Sequence, residues 1–160
     1  MTAASPVAYA GVMSTDTEAR ERREAAIAEL RTRPMYEASG GEATLRAVID
    51  RFYEIMDTDQ SLAPLRAVHG RDLSKVKNGL FEFLSGWLGG PNLYIERHGS
   101  PCLTGVHLPL GIDGVLADMW ALCMARAMND AGVPLRFSEL LVPSLTEMAH
   151  DMRTDRRAAP

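Results

Sequence analysis

The chain has only two cysteines, Cys102 and Cys123, and they lack CxxC spacing. That excludes a disulfide scaffold and a cysteine-based zinc site, and leads us to expect two reduced, buried thiols in a cytosolic protein. The four histidines, His69, His98, His107 and His150, show no zinc-ligand spacing, and the Glu-x-x-His repeats of di-iron bundles are missing. No GxSxG, Walker loop, HExxH or glycine-rich nucleotide loop occurs, which removes several common enzyme classes. No apolar run approaches the roughly 20 residues that a membrane span needs. Residues 1–10 carry no basic group and include Pro6, so a signal peptide is not expected either. An excess of positive charge is also absent, with 17 Lys and Arg against 21 Asp and Glu and a net charge of -4. The sequence therefore predicts neither a nucleic-acid nor an anionic-membrane surface.

What is present is enough apolar material for a core, 46% of 160 residues, in one domain. Residues 1 to about 14 are expected to be disordered. A highly charged helix follows over 17–32, with opposite charges at helical i, i+4 distance and only alanines, Ile27 and Leu30 as its apolar stripe. It reads as a solvated or loosely attached arm, or as a partner-binding helix. Pro34 ends it, and a glycine hinge spans 36–42. Over 43–57 the residues Leu45, Val48, Ile49, Phe52, Tyr53 and Met56 repeat with the period of a helix buried on one face. Tyr53, on that stripe, needs a partner for its hydroxyl: backbone in the core, or a ligand.

Residues 59–72 form a connection with a short helical turn around 62–68, ending near His69. A second amphipathic helix, 73–88, presents Leu73, Val76, Leu80, Phe83, Leu84, Trp87 and Leu88, and Gly89-Gly90-Pro91 stops it. The segment 92–112 is long and irregular, with room for only a very short helix between its prolines and glycines. A third helix, 114–129, has Val115, Leu116, Met119, Trp120, Cys123, Met124 and Ala127 on its apolar face. A last one, capped by Ser138, carries Leu140, Leu141, Leu145, Met148 and Met152. No stretch alternates as a strand would, so the fold class is all-α.

The irregular segment holds His107 among Val106, Leu108, Leu110 and Ile112. A single imidazole in an apolar slot is either a hydrogen-bonded structural residue or the one side chain that a haem iron needs from below. His98, beside Glu96 and Arg97, reads as solvated, and His150 as a surface or packing residue.

Several features occur together in a familiar order: Gly40-Gly41, Phe52-Tyr53, Phe83-Leu84-Ser85-Gly86-Trp87-Leu88-Gly89-Gly90-Pro91, Tyr94-x-Glu96-Arg97-x-Gly99-x-Pro101, His107, and Met119-Trp120-x-x-Cys123-Met124. In this order and spacing the chain resembles the truncated haemoglobins, and Trp120 points to their group II. The resemblance covers about residues 36–152. It implies a globin-like two-over-two helical sandwich over residues 35–152, with an N-terminal extension at 1–34 (charged helix or disordered) and a polar tail at 153–160. It implies haem b as cofactor and iron as the metal, with His107 as proximal ligand. Tyr53 and Trp120 would be distal donors and Leu80 an apolar wall over the iron. Val76 would stand at the position where other globins place a distal histidine, and His69 at the corner beside the ligand. Phe83 and Leu84 would line the haem. The family commonly has cations before the proximal histidine, where this chain has Ser100, Cys102, Thr104 and Val106. That leaves Arg97, Lys75, Lys77 and Tyr94 as candidates for the propionates. The implied role is oxygen binding and transport, with nitric oxide as a further ligand and, for any redox cycle, an external reductase; it names no catalytic residue and no oligomeric state. A different class of reading is a haem-free globin-like interaction or sensor module, motivated by the missing cations and the charged N-terminal helix.

Overall fold

The computed structural model describes the backbone of residues 6–155 and the side chains of residues 15–155. Nine α-helices follow one another over the described residues: α1 (Pro6–Leu30), α2 (Met35–Ala38), α3 (Gly41–Thr58), α4 (Ala63–Ala67), α5 (Ser74–Trp87), α6 (Leu93–His98), α7 (Leu103–His107), α8 (Gly114–Asp130) and α9 (Leu135–Asp151). Short 3-10 turns precede α4 and follow α7. No strand occurs among the described residues. No single helix there is long and apolar enough to cross a membrane.

The core follows from the stripe on α3. Leu45, Val48, Ile49, Phe52, Tyr53 and Met56 are all buried, with Ile55 added between them. This face meets α5 on one side and α8 on the other, while α8 pairs with α9. Two helix pairs, α3 with α5 and α8 with α9, thus make the two-over-two sandwich. Gly40 begins α3 at φ 117°, where a Cβ would lie 2.1 Å from the Thr44 hydroxyl oxygen, so only glycine fits that entry. Asp113 starts α8 by accepting the Leu116 amide at 2.9 Å.

Three helical faces differ from the sequence reading. On α5 the buried residues are Phe81, Glu82, Leu84 and Ser85, whereas Val76 and Trp87 are exposed and Leu80 and Phe83 half-buried. The apolar arc is wider than the strip α3 covers, so Leu80 and Phe83 pack only partly buried at the edge of the core and Val76 is left exposed. On α8, Val115 is exposed while Ala117, Ala121 and Met128 join the core. The last helix begins at Leu135 rather than Ser138, whose hydroxyl donates to the Leu135 carbonyl inside the first turn. Phe137, fully buried, is therefore part of α9 and of the core. The segment 92–112 is also more ordered than expected, since α6, α7 and a 3-10 turn occupy most of it.

The stretch up to residue 14, expected to be disordered, belongs to α1 from Pro6 on, and residues 1–5 lie outside the described residues. That helix lies on α9: Ala26 is fully buried, Arg22 reaches Glu139 at 2.7 Å and Arg136 reaches Glu29 at 3.0 Å. The ion pairs are half-exposed and contribute little, below about 1 kcal/mol each; the burial of Ala26 and Leu30 adds to them. Deleting residues 1–30 should lower stability by about 2 kcal/mol and the melting temperature by roughly 4–8 °C, with cooperative unfolding retained. Thermal unfolding followed by circular dichroism checks this; an unchanged melting temperature would show that α1 is not part of the folded body. Of the tail, residues 153–155 continue from α9, where the Thr154 amide donates to the Ile112 carbonyl at 2.8 Å, and 156–160 lie outside the described residues.

Candidate functional site

The site is built from one short helix and one long one. In α7 the imidazole of His107 is half-buried, and its Nδ1 lies 2.6 Å from the Leu103 carbonyl four residues earlier. A carbonyl only accepts, so Nδ1 carries the proton and Nε2 keeps its lone pair. This is the tautomer and the orienting bond that a metal-binding histidine needs. None of the residues of α6, α7 or the following 3-10 turn is fully buried. Val106, Leu108 and Leu110 are exposed apolar side chains in this region.

On α3 the Tyr53 ring is buried to 3% exposure. Its hydroxyl has no hydrogen-bond partner in the protein and is not sealed from solvent. A partnerless phenol in the core would cost several kcal/mol if it were fully enclosed. Here the proton is free and reachable. Trp120 on α8, half-buried, likewise has no protein acceptor for its indole N–H. Phe52 stands between the two donors, edge-on to Tyr53 at 4.9 Å and to Trp120 at 5.6 Å between ring centroids. The Cys123 thiol, fully buried as expected, donates to the Phe52 carbonyl at 3.3 Å and ties α8 to α3 at this point.

His69 sits just beyond α4, edge-on to Tyr53 with ring centroids 5.7 Å apart. Its Nδ1 donates to the Leu65 carbonyl at 2.9 Å. Burial pushes its basicity down, and the charges of Arg66 and His107 act in the same direction, against the Leu65 bond. His69 thus carries its proton on Nδ1 and keeps its Nε2 lone pair, and it is near enough to His107 to feel that residue's charge. Tyr53, His69 and His107 thus share one region, with Trp120 joined to it through Phe52.

Burial, and secondarily the charge of Cys123, push the Tyr53 phenol up to about 12 from 10.0. Between those two values the folded chain holds a proton that the unfolded chain has released, so stability falls as pH rises through that window. Ultraviolet titration of the wild type and Tyr53→Phe should differ by one phenolate appearing near pH 12. A difference centred near 10 would place that hydroxyl in water.

Other expected residues are placed differently. Arg97 ion-pairs with Glu82, a buried carboxylate on α5, and His98 Nε2 lies 3.0 Å from its second oxygen. His98 is thus a partner of a buried acid rather than simply solvated. Together the two residues pin α6 to α5, with Tyr94 between Phe83 at 6.3 Å and His98 at 4.9 Å. Lys77 pairs with Asp50 at 3.0 Å and stands 6.0 Å from the Tyr53 ring. Arg97 and Lys77 are hence already engaged, and of the three candidate cations only Lys75 has no ion pair among the described residues. Cys102, expected to be buried, is exposed. His150 bonds Asp118 at 2.7 Å, a packing role as expected. Glu82 was missed because a lone glutamate in an amphipathic helix gives no sign that an arginine and a histidine wait fifteen and sixteen residues on.

These residues fit a haem: an imidazole with its proton on Nδ1 and a free lone pair on Nε2, two donor protons without a protein acceptor, and apolar side chains that the core leaves exposed (Val76, Leu110) or only partly covered (Leu80, Phe83). Among the described residues, no cluster of three or more His, Cys, Asp or Glu offers an alternative metal site.

The comparisons agree with that chemistry. Residues 34–154 match the model of the family described as bacterial-like globin. A group 2 truncated hemoglobin of Bacillus subtilis (strain 168) is 38% identical over 117 residues, 73% of this chain and 86% of that one. The solved group II 2-on-2 hemoglobin of the plant pathogen Agrobacterium tumefaciens superposes with a TM-score of 0.73 at 39% identity, covering 76% of this chain and 95% of its own. The truncated oxygen-avid haemoglobin of Bacillus subtilis gives 0.68 at 36% identity, covering 76% and 99%. On this fold, this sequence and these matches, the chain belongs to the bacterial-like globins, and within them to the group II truncated haemoglobins.

Proposed function

We propose that this chain binds haem b through Nε2 of His107 and uses it to hold dioxygen reversibly, with nitric oxide as a second diatomic ligand. Haem iron supplies the coordination position for such a ligand. Everything else is the work of the chain. The Leu103 carbonyl orients His107 and keeps its proton on Nδ1. The edge of α5 with Val76, Leu80 and Phe83 excludes water from the porphyrin faces. Tyr53 and Trp120 would offer O–H and N–H donors to a diatomic ligand held there, and a ligand with partial negative charge would gain most from them. Neutral His69 has no proton to give from Nε2, so the donor role falls to the phenol and the indole.

The observation that carries this reading is the pair of donor protons without protein acceptors, on the side of the site that Tyr53 shares with His69. Neither proton is engaged by the protein, so both are available to a ligand. The similarity to a protein described as oxygen-avid supports it. Net reduction of a ligand would need electrons from an external reductase. The test is an oxygen equilibrium: the reduced, haem-loaded chain should change spectrum under air and return under argon. Absence of any change, or immediate irreversible oxidation, would contradict oxygen holding.

A further inference from the structure

The side of α8 opposite Trp120 is uncovered. Leu122 lies two positions after Trp120, about 200° round the helix, and so points away from the donor residues. Val115 and Leu122 are 61% and 59% exposed, the two most exposed large apolar side chains among the described residues. They are seven residues apart and share one face of the helix, with Met119 half-buried beside them. A single exposed leucine means little, whereas two on one face of a long helix make a patch that another surface can cover. The charges around them come in a definite order. Asp118, Leu122 and Arg126 follow at steps of four and are all exposed, so they form one ridge that runs acid, apolar, base. Asp118 uses only Oδ1, on His150 at 2.7 Å, and Arg126 only Nη1, on Asp59 at 2.6 Å. The other carboxylate oxygen and the other guanidinium N–H groups have no hydrogen-bond partner among the described residues. Helices most often cross at about −50°, with their four-residue ridges laid side by side. Against a second α8 related by a two-fold axis beside Leu122, this ridge meets its own copy in reverse. Leu122 then lies against Leu122, and Asp118 faces the second copy's Arg126 at both ends of the contact. A parallel pairing would set acid on acid and base on base. The order of three side chains therefore selects both the occupant and its orientation.

We propose that the exposed face of α8 is a two-fold interface through which two copies of this chain form an antiparallel dimer centred on Leu122. The inference goes beyond the haem reading and does not rest on it. One helix crossing buries less than about 1,200 Å², the low end for specific interfaces, so the dimer is weak, with a dissociation constant of about 100 μM. Sedimentation equilibrium of the purified full chain, from about 10 μM to about 1 mM, brackets that constant and should show the mass rising from one chain to two. Leu122→Glu sets two carboxylates against each other at the centre and should weaken the dimer more than about tenfold. Asp118→Arg places arginine against arginine at both ends and should weaken it about tenfold. Adding Arg126→Asp to that variant restores the ridge in the opposite order, base, apolar, acid, which is again self-complementary. The double variant should return to within about threefold of the wild type, a rescue that general damage to the helix would not give. A dimer that survives Leu122→Glu, or a double variant no better than Asp118→Arg alone, overturns the proposal. So does a chain that stays monomeric throughout, which leaves this face to a different protein. None of these outcomes bears on haem uptake, which the Soret band reads separately in every variant.

Discussion

Replacing His107 with glycine should remove haem from the purified chain, with an affinity loss of more than about a hundredfold and no Soret band. Adding free imidazole should restore the band, because the cavity left by the side chain takes the lost ligand back. The same substitution at His69 should leave the band in place. The contrast is informative because the two imidazoles are locally alike. Each gives its Nδ1 proton to the carbonyl four residues earlier, at 2.6 Å for His107 and 2.9 Å for His69. What separates them is their company: His69 packs on the ring of Tyr53, on the donor side, whereas His107, in α7, makes no such ring contact among the described residues. Loss of haem from His69→Gly with retention in His107→Gly would exchange the two roles.

The second large effect concerns the donors. Tyr53→Phe keeps the buried ring and its edge contacts with Phe52 and His69 and removes only the O–H. A hydrogen bond to a partly charged oxygen in a dry site contributes about 1.5–3 kcal/mol, so oxygen dissociation should accelerate roughly 10- to 100-fold. Trp120→Phe should accelerate it about tenfold. Carbon monoxide carries less charge on its outer atom, and its dissociation should change less than about threefold. Stopped-flow displacement of oxygen measures all three rates. Unchanged oxygen dissociation in both variants would return the two residues to plain packing.

The sequence carried the α3 stripe almost completely, since a helix buried on one face against two neighbours obeys a simple period. It carried α5 only in part. Seven apolar positions marked an amphipathic helix, yet they could not say which edge meets the core, because an apolar face that its neighbours cover only in part looks uniform in sequence. The resemblance singled out His107 and Tyr53; it said nothing of their hydrogen-bonding state. That Tyr53 lacks an acceptor, and that His107 holds its proton on Nδ1, are facts of three-dimensional placement. Arg97 illustrates the opposite error. An arginine in a polar loop is free in sequence, and here it is spent on Glu82 from another helix. The N-terminal helix was likewise misjudged, because Ala26 gives no hydrophobic signal of its own and its burial depends on the groove that α9 provides.

The central claim is that one chain carries one porphyrin on one imidazole. Titrating the haem-free chain with haemin while recording visible absorbance tests it most directly. A sharp Soret band that saturates at one equivalent per chain, and fails to form with His107→Gly, is the expected result. A broad absorbance rising without a break, or saturation that is the same with and without His107, would contradict it.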